Sequence, residues 1–68
     1  MKKALAFDIG GTKIYSTIID ETGNIIEEIE KFSTPKTIDG IKEVLKKQIF
    51  KYENYKNYLI TVLYYFRN

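Results

Sequence analysis

The sequence predicts a mixed α/β fold, with three strands, one crossover helix and a fourth strand in the order β-β-β-α-β. Three observations carry that prediction. Over the first 32 residues, short apolar and β-branched runs are separated by glycine-bearing turns. After Pro35 the apolar residues recur every three or four positions, and the chain then runs into the aromatic, β-branched stretch Tyr58 to Phe66. A strand, a crossover helix and a further strand form a parallel unit, so the last strand is expected beside the first in a mixed sheet with the helix on one face.

The first strand, Lys3 to Ile9 (KALAFDI), sets Leu5, Phe7 and Ile9 against Ala4, Ala6 and Asp8. Both of its faces stay apolar or small until the carboxylate, the pattern of a central, buried strand. Gly10-Gly11 then marks a tight turn, of the kind in which glycine adopts positive φ at no steric cost. Lys13 to Asp20 (KIYSTIID) resumes the strand pattern and is expected to pair antiparallel to the first. Glu21-Thr22-Gly23-Asn24 is a second turn, and Ile25 to Phe32 (IIEEIEKF) reads as a third strand. Its four charged residues suit a sheet edge, where charge deters unwanted pairing.

Ser33-Thr34-Pro35-Lys36 breaks the strand pattern. A helix is expected next, with Ile38, Ile41, Val44, Leu45, Ile49 and Tyr52 on its apolar stripe and Thr37 or Asp39 as its cap. Of the later aromatics, Phe50, Tyr52, Tyr58 and Tyr64 are expected between helix and sheet, with those at the end of the chain exposed.

Sixty-eight residues make one small domain at most, which excludes a two-lobed enzyme within this length. Cysteine and histidine are both absent, so thiol nucleophiles, imidazole bases, disulfides and Cys/His zinc sites are all excluded. Any chemistry falls to carboxylates, hydroxyls, lysine and backbone amides. No stretch has the ~18 apolar residues of a membrane span, and the basic start runs into Asp8 where a signal peptide needs an apolar core. The expectation is a cytoplasmic protein that engages no membrane.

Net charge is +2 and uneven: residues 1–32 hold four lysines against six acids, and residues 33–68 hold seven basic residues against three acids. A solvated helix face accounts for Lys42, Lys46 and Lys47, so no nucleic-acid partner is expected. The adjacent acids Glu27, Glu28 and Glu30 read as a solvated strand edge, not as paired catalytic carboxylates.

Chemistry concentrates in Asp8-Ile9-Gly10-Gly11-Thr12-Lys13, a carboxylate ending one strand, two glycines, then a hydroxyl and an ammonium opening the next. Glycines let backbone amides close on a phosphate, successive amides form an anion-binding concavity, and Thr12 adds a hydroxyl donor. Asp8 can hold Mg²⁺ directly or through water, because magnesium takes few carboxylates and fills its shell with phosphate oxygens and water. The P-loop and the Gly-x-Gly-x-x-Gly fingerprint are both absent, and Lys13 leads into a strand. A phosphate loop here must be a hairpin.

This motif resembles the first phosphate motif of the actin-like ATPase superfamily. More narrowly, FDIGGTKIYSTIIDETGNII with the following Thr34-Pro35 resembles the start of the ROK family, which comprises glucokinases, other hexose and N-acetylhexosamine kinases, and sugar-responsive repressors. The resemblance spans about residues 4–60 and implies an RNase H-like half-domain of an ATP-dependent sugar kinase. It implies that Asp8 positions Mg²⁺ and the nucleotide phosphates, and that Gly10, Gly11 and Thr12 line the β- and γ-phosphates; Lys13 is expected at the same site from its own positive charge, not from the resemblance. It also implies that these residues correspond to the beginning of a family member. The family's catalytic aspartate, in an Asn-Asp motif, and its sugar and adenosine contacts lie further on. Where the family continues into a Gly-rich stretch, this sequence has Ile60-Thr61-Val62-Leu63-Tyr64-Tyr65-Phe66-Arg67-Asn68, which reads as a frameshifted, prematurely ended or deliberately shortened chain. The expectation is therefore a chain that is inactive alone and open to self-association through its last strand. The alternatives are a piece of a sugar-responsive repressor or a non-enzymatic interaction module.

Overall fold

A computed structural model describes residues 3–54 and 60–67. Four strands and one helix follow in the expected order: β1 (Lys3–Ile9), β2 (Lys13–Asp20), β3 (Glu30–Ser33), α1 (Ile38–Asn54) and β4 (Ile60–Phe66). The result is a small α/β domain whose mixed sheet has the strand order β3-β2-β1-β4. β1 pairs antiparallel with β2 and parallel with β4, and β3 pairs antiparallel with β2. The strands β1, β3 and β4 thus run in one direction and end at the same edge of the sheet. The residues that follow them, Gly10, Thr34 and Arg67, are the ones that build the site described below.

Alternation along β1 decides which face is covered. Leu5, Phe7 and Ile9 are buried with Ile14 and Ile18 of β2 and with Tyr52 of α1. Ile41, Val44, Leu45 and Ile49 of α1 pack against this cluster, so this part of the helical stripe read from the sequence covers the sheet, whereas Ile38, expected on the same stripe, is exposed where the helix begins. Ser16 is fully buried between Ile14 and Ile18, and its hydroxyl has no partner among the described residues. Of the aromatics expected in the core, Tyr52 is buried, while Tyr64 stacks on Phe7 with ring centroids 5.8 Å apart but stays half exposed. Phe50 departs from expectation: it is 59% exposed, because it sits two residues from both Gln48 and Tyr52, the buried positions that mark the opposite side of α1. Tyr58 lies outside the described residues.

The third strand is shorter than its sequence suggests. Ile19 bridges Ile25 and Ser16 faces Glu30, so three steps along β2 are matched by five on the segment that pairs with it, leaving two extra residues. The chain bulges there, a device common at sheet edges. An even insertion preserves the alternation, so Ile26 and Phe32 both still pack on the core. The turn before it is built on Asp20, whose Oδ1 accepts from the Thr22 hydroxyl (2.6 Å), the Thr22 amide (2.9 Å) and the Asn24 amide (3.0 Å). Gly23, with φ of 89°, is the glycine here that needs its conformational freedom.

Thr37 is the cap of α1: its Oγ1 accepts from the Gly40 amide at 3.0 Å, and its carbonyl accepts from Ile41. Asp39 sits in the first turn, where its charge suits the helix dipole. Gly40 is set by packing, since a Cβ there would stand 2.6 Å from Pro35 Cβ and 3.0 Å from Thr37 Oγ1. Gly→Ala inside a helix ordinarily gains up to about 1 kcal/mol. Overpacking against a rigid proline ring costs about 1–3 kcal/mol and reverses the sign. Gly40→Ala is expected to lower stability in a urea titration; a stabilised variant would show that Pro35 gives way.

α1 is tied to the edge strand by Glu30, which accepts from Lys51 Nζ at 2.8 Å and Tyr52 Oη at 2.9 Å. Partial burial pushes the Glu30 carboxyl up, but these donors outweigh it, and the group lies below its ordinary value of 4.5. The Thr22 hydroxyl, followed by the Asn24 amide, likewise holds Asp20 below 3.8. A carboxyl depressed in the folded state stabilises it above the unfolded value, and that stabilisation is lost as pH falls through the folded one. The thermal midpoint is therefore expected to be level in this respect above about pH 5 and to drop on acidification through pH 4. Glu30→Gln should flatten the drop, and an unchanged acid slope in that variant would remove Glu30 from the account.

Candidate functional site

The loop joining β1 to β2 consists of Gly10, Gly11 and Thr12. Its turn is closed by the Gly10 amide donating to the Lys13 carbonyl at 2.8 Å. The expectation that Gly10-Gly11 uses positive φ is corrected: among the described glycines only Gly23 does so. The two glycines then separate by surroundings. A Cβ on Gly10 would lie 3.2 Å from the Lys13 carbonyl oxygen, so the turn itself needs Gly10 small. A Cβ on Gly11 would meet no atom within 4 Å. Neither φ nor packing accounts for a glycine at position 11.

Thr34, just past β3, fixes the loop from the other side. Its amide donates to the Thr12 carbonyl at 2.9 Å and its hydroxyl to the Gly10 carbonyl at 2.8 Å. The loop carbonyls are thereby turned toward Thr34, while the amides of Gly11 and Thr12 donate no hydrogen bond among the described residues. Free amides on a loop whose carbonyls are engaged elsewhere form an anion-binding concavity. A shallow cavity of about 260 Å³ lies there, lined by Asp8, Gly10, Gly11, Thr12, Lys13, Tyr15 and Arg67. All five residues expected to bind nucleotide phosphates, Asp8, Gly10, Gly11, Thr12 and Lys13, are brought to one place.

Asp8 is in register with Tyr15 of β2 on one side and Tyr65 of β4 on the other. Its carboxylate is held by Arg67 in a bidentate pair, Nε to Oδ1 at 2.7 Å and Nη2 to Oδ2 at 2.6 Å. The Arg67 amide also donates to the Ile9 carbonyl at 2.8 Å, extending the parallel ladder one step past β4. The hydrogen bond to Asp8, with the attraction of its charge, raises the guanidinium pKa above its ordinary value. With both carboxylate oxygens committed to a cation, the donor set does not fit Mg²⁺ on Asp8 as it stands, because the metal needs one of those oxygens or a water held by it.

Arg67 and Thr34 are residues that the sequence reading did not place at the site. Thr34 carried one local signal: a residue before proline is held extended, which suits a chain leaving a strand beside the loop. Arg67 carried a signal only through topology, since a parallel β4 in register with β1 delivers its last residues to the end where Asp8 lies. Among the described residues, no helix is long and apolar enough to cross a membrane. No protein-family model and no curated protein matches the chain.

Proposed function

We propose that the chain is the phosphate-cradling hairpin of a cytoplasmic, ATP-dependent sugar kinase of the ROK type, folded as an RNase H-like half-domain. The observation that carries this reading is Gly11, a glycine required neither by φ nor by packing, in a loop whose Gly11 and Thr12 amides donate no hydrogen bond among the described residues. What remains to explain it is close approach of a ligand to the backbone. The strand order β3-β2-β1-β4, with a parallel β1/β4 pair and the site beyond the carboxyl ends of β1 and β4, supports the same reading.

Phosphoryl transfer depends mostly on positioning and charge neutralisation. This chain contributes amides, the Thr12 hydroxyl and the Lys13 ammonium to that task. A base for the sugar hydroxyl is not part of its contribution, since the carboxylate at the site, Asp8, is held by Arg67. The 68-residue chain is expected to bind ATP without phosphorylating glucose or N-acetylhexosamines. In an NMR titration with ATP, the amides of Gly11, Thr12 and Lys13 should shift first. Shifts confined to other parts of the sheet would remove the reading.

A second reading, an interaction module that self-associates, is favoured by one observation. β4 is an edge strand, and Leu63, Tyr64, Tyr65 and Phe66 are 47–69% exposed along it. In that case sedimentation would show concentration-dependent dimers, and Gly11→Val would leave them intact.

A further inference from the structure

We propose that the loop is a metal-independent anion site in which Arg67, paired with Asp8, supplies the positive charge that a divalent cation would otherwise bring. The proposal rests on the phosphate reading of the hairpin and goes on to specify the charge state of the ligand the site takes.

Three observations carry it. First, the guanidinium stands on both oxygens of the carboxylate that a metal would need. A bidentate arginine pair is directional as well as charged, so a cation approaching Asp8 must displace it. Second, Arg67 is held by its backbone too, through its amide on the Ile9 carbonyl, so its position at the end of β1 does not depend on the ion pair alone. Third, Arg67 lines the same cavity as Gly11, Thr12 and Lys13. A guanidinium has five N–H donors, and Asp8 occupies two of them at the distances given, leaving others for an anion.

The charge balance points the same way. Two cations, Lys13 and Arg67, against one carboxylate, Asp8, give the cavity a net charge of +1 before any metal arrives. An uncomplexed polyphosphate meets free amides and two cations there. A magnesium-complexed polyphosphate brings its own positive charge toward the guanidinium, and like charges at this range repel. Magnesium should therefore compete with Arg67 for Asp8 instead of assisting.

The test is calorimetric titration of inorganic tripolyphosphate, which has no base or sugar, into the full chain with EDTA and with excess Mg²⁺. The wild type is expected to bind in EDTA at least as tightly as in Mg²⁺. Arg67→Ala should lose about tenfold in EDTA, the cost of a charged hydrogen-bonding partner. Asp8→Asn separates the two kinds of site most cleanly. It leaves Arg67 free and should keep or raise affinity in EDTA, whereas a metal site would lose binding. Circular dichroism of both variants checks that the fold is retained.

Wild-type binding that appears only with Mg²⁺, and that Arg67→Ala leaves unchanged, would overturn this proposal while sustaining the phosphate reading. No binding in any arm would overturn both.

Discussion

Gly11→Ala is expected to weaken tripolyphosphate binding at least tenfold while leaving the thermal midpoint unchanged or slightly raised. The two halves of that result have separate causes. In the folded chain the added methyl meets nothing within 4 Å and the backbone is outside the left-handed region, so no strain opposes it. Removing a glycine also restricts the unfolded chain, which stabilises by about 0.4–1 kcal/mol. In the bound state the same methyl stands where phosphate oxygens must approach the amides. Losing about 1.4 kcal/mol of that contact is already a factor of ten. Gly10→Ala is the useful contrast: its Cβ would press on the Lys13 carbonyl at 3.2 Å, so a binding loss there could come from a distorted turn. Equal affinity in Gly11→Ala and wild type would make the hairpin an ordinary turn and remove the phosphate reading.

Most of the fold was legible because its signals are local. Alternation in Lys3–Ile9 and Lys13–Asp20, the turn between them and the helical stripe after Pro35 each depend on a few neighbouring residues. The parallel return of β4 followed from a general rule of chain topology. What was not legible is what depends on distant partners. Ile25–Ile29 has the composition of a strand, yet the two-residue bulge is set by how Ile26 and Phe32 reach the core together. Gly10 and Gly11 look alike in sequence, and only their surroundings separate a packing requirement from an open backbone. Asp8 was read as able to hold Mg²⁺ because magnesium takes few carboxylates, and the arginine that pairs with it is not visible among its neighbours in sequence. Its partner lies 59 residues away.

Phe7→Ala is expected to remove most of the stability of the domain. Phe7 is 1% exposed at the centre of β1, facing Ser16 of β2 on one side and Tyr64 of β4 on the other, and it stacks on the Tyr64 ring at an interplanar angle of 18°. Truncating a buried phenylalanine costs about 3–5 kcal/mol. At roughly 0.05–0.15 kcal/mol per residue, a chain this short holds only about 3–10 kcal/mol in total. The Ser16 hydroxyl beside Phe7, without a partner among the described residues, argues for the lower half of that range. The variant should therefore be largely unfolded at 37 °C or melt more than about 12 °C below wild type, as circular dichroism would show. Tyr64→Ala, at a position 51% exposed, should cost far less, because much of its ring already faces solvent. A Phe7→Ala midpoint within a few degrees of wild type would mean that α1 and β4 do not close over β1. The loop beyond Ile9 would then lose the rigid strand that aims Asp8, Gly11 and Arg67 at one point.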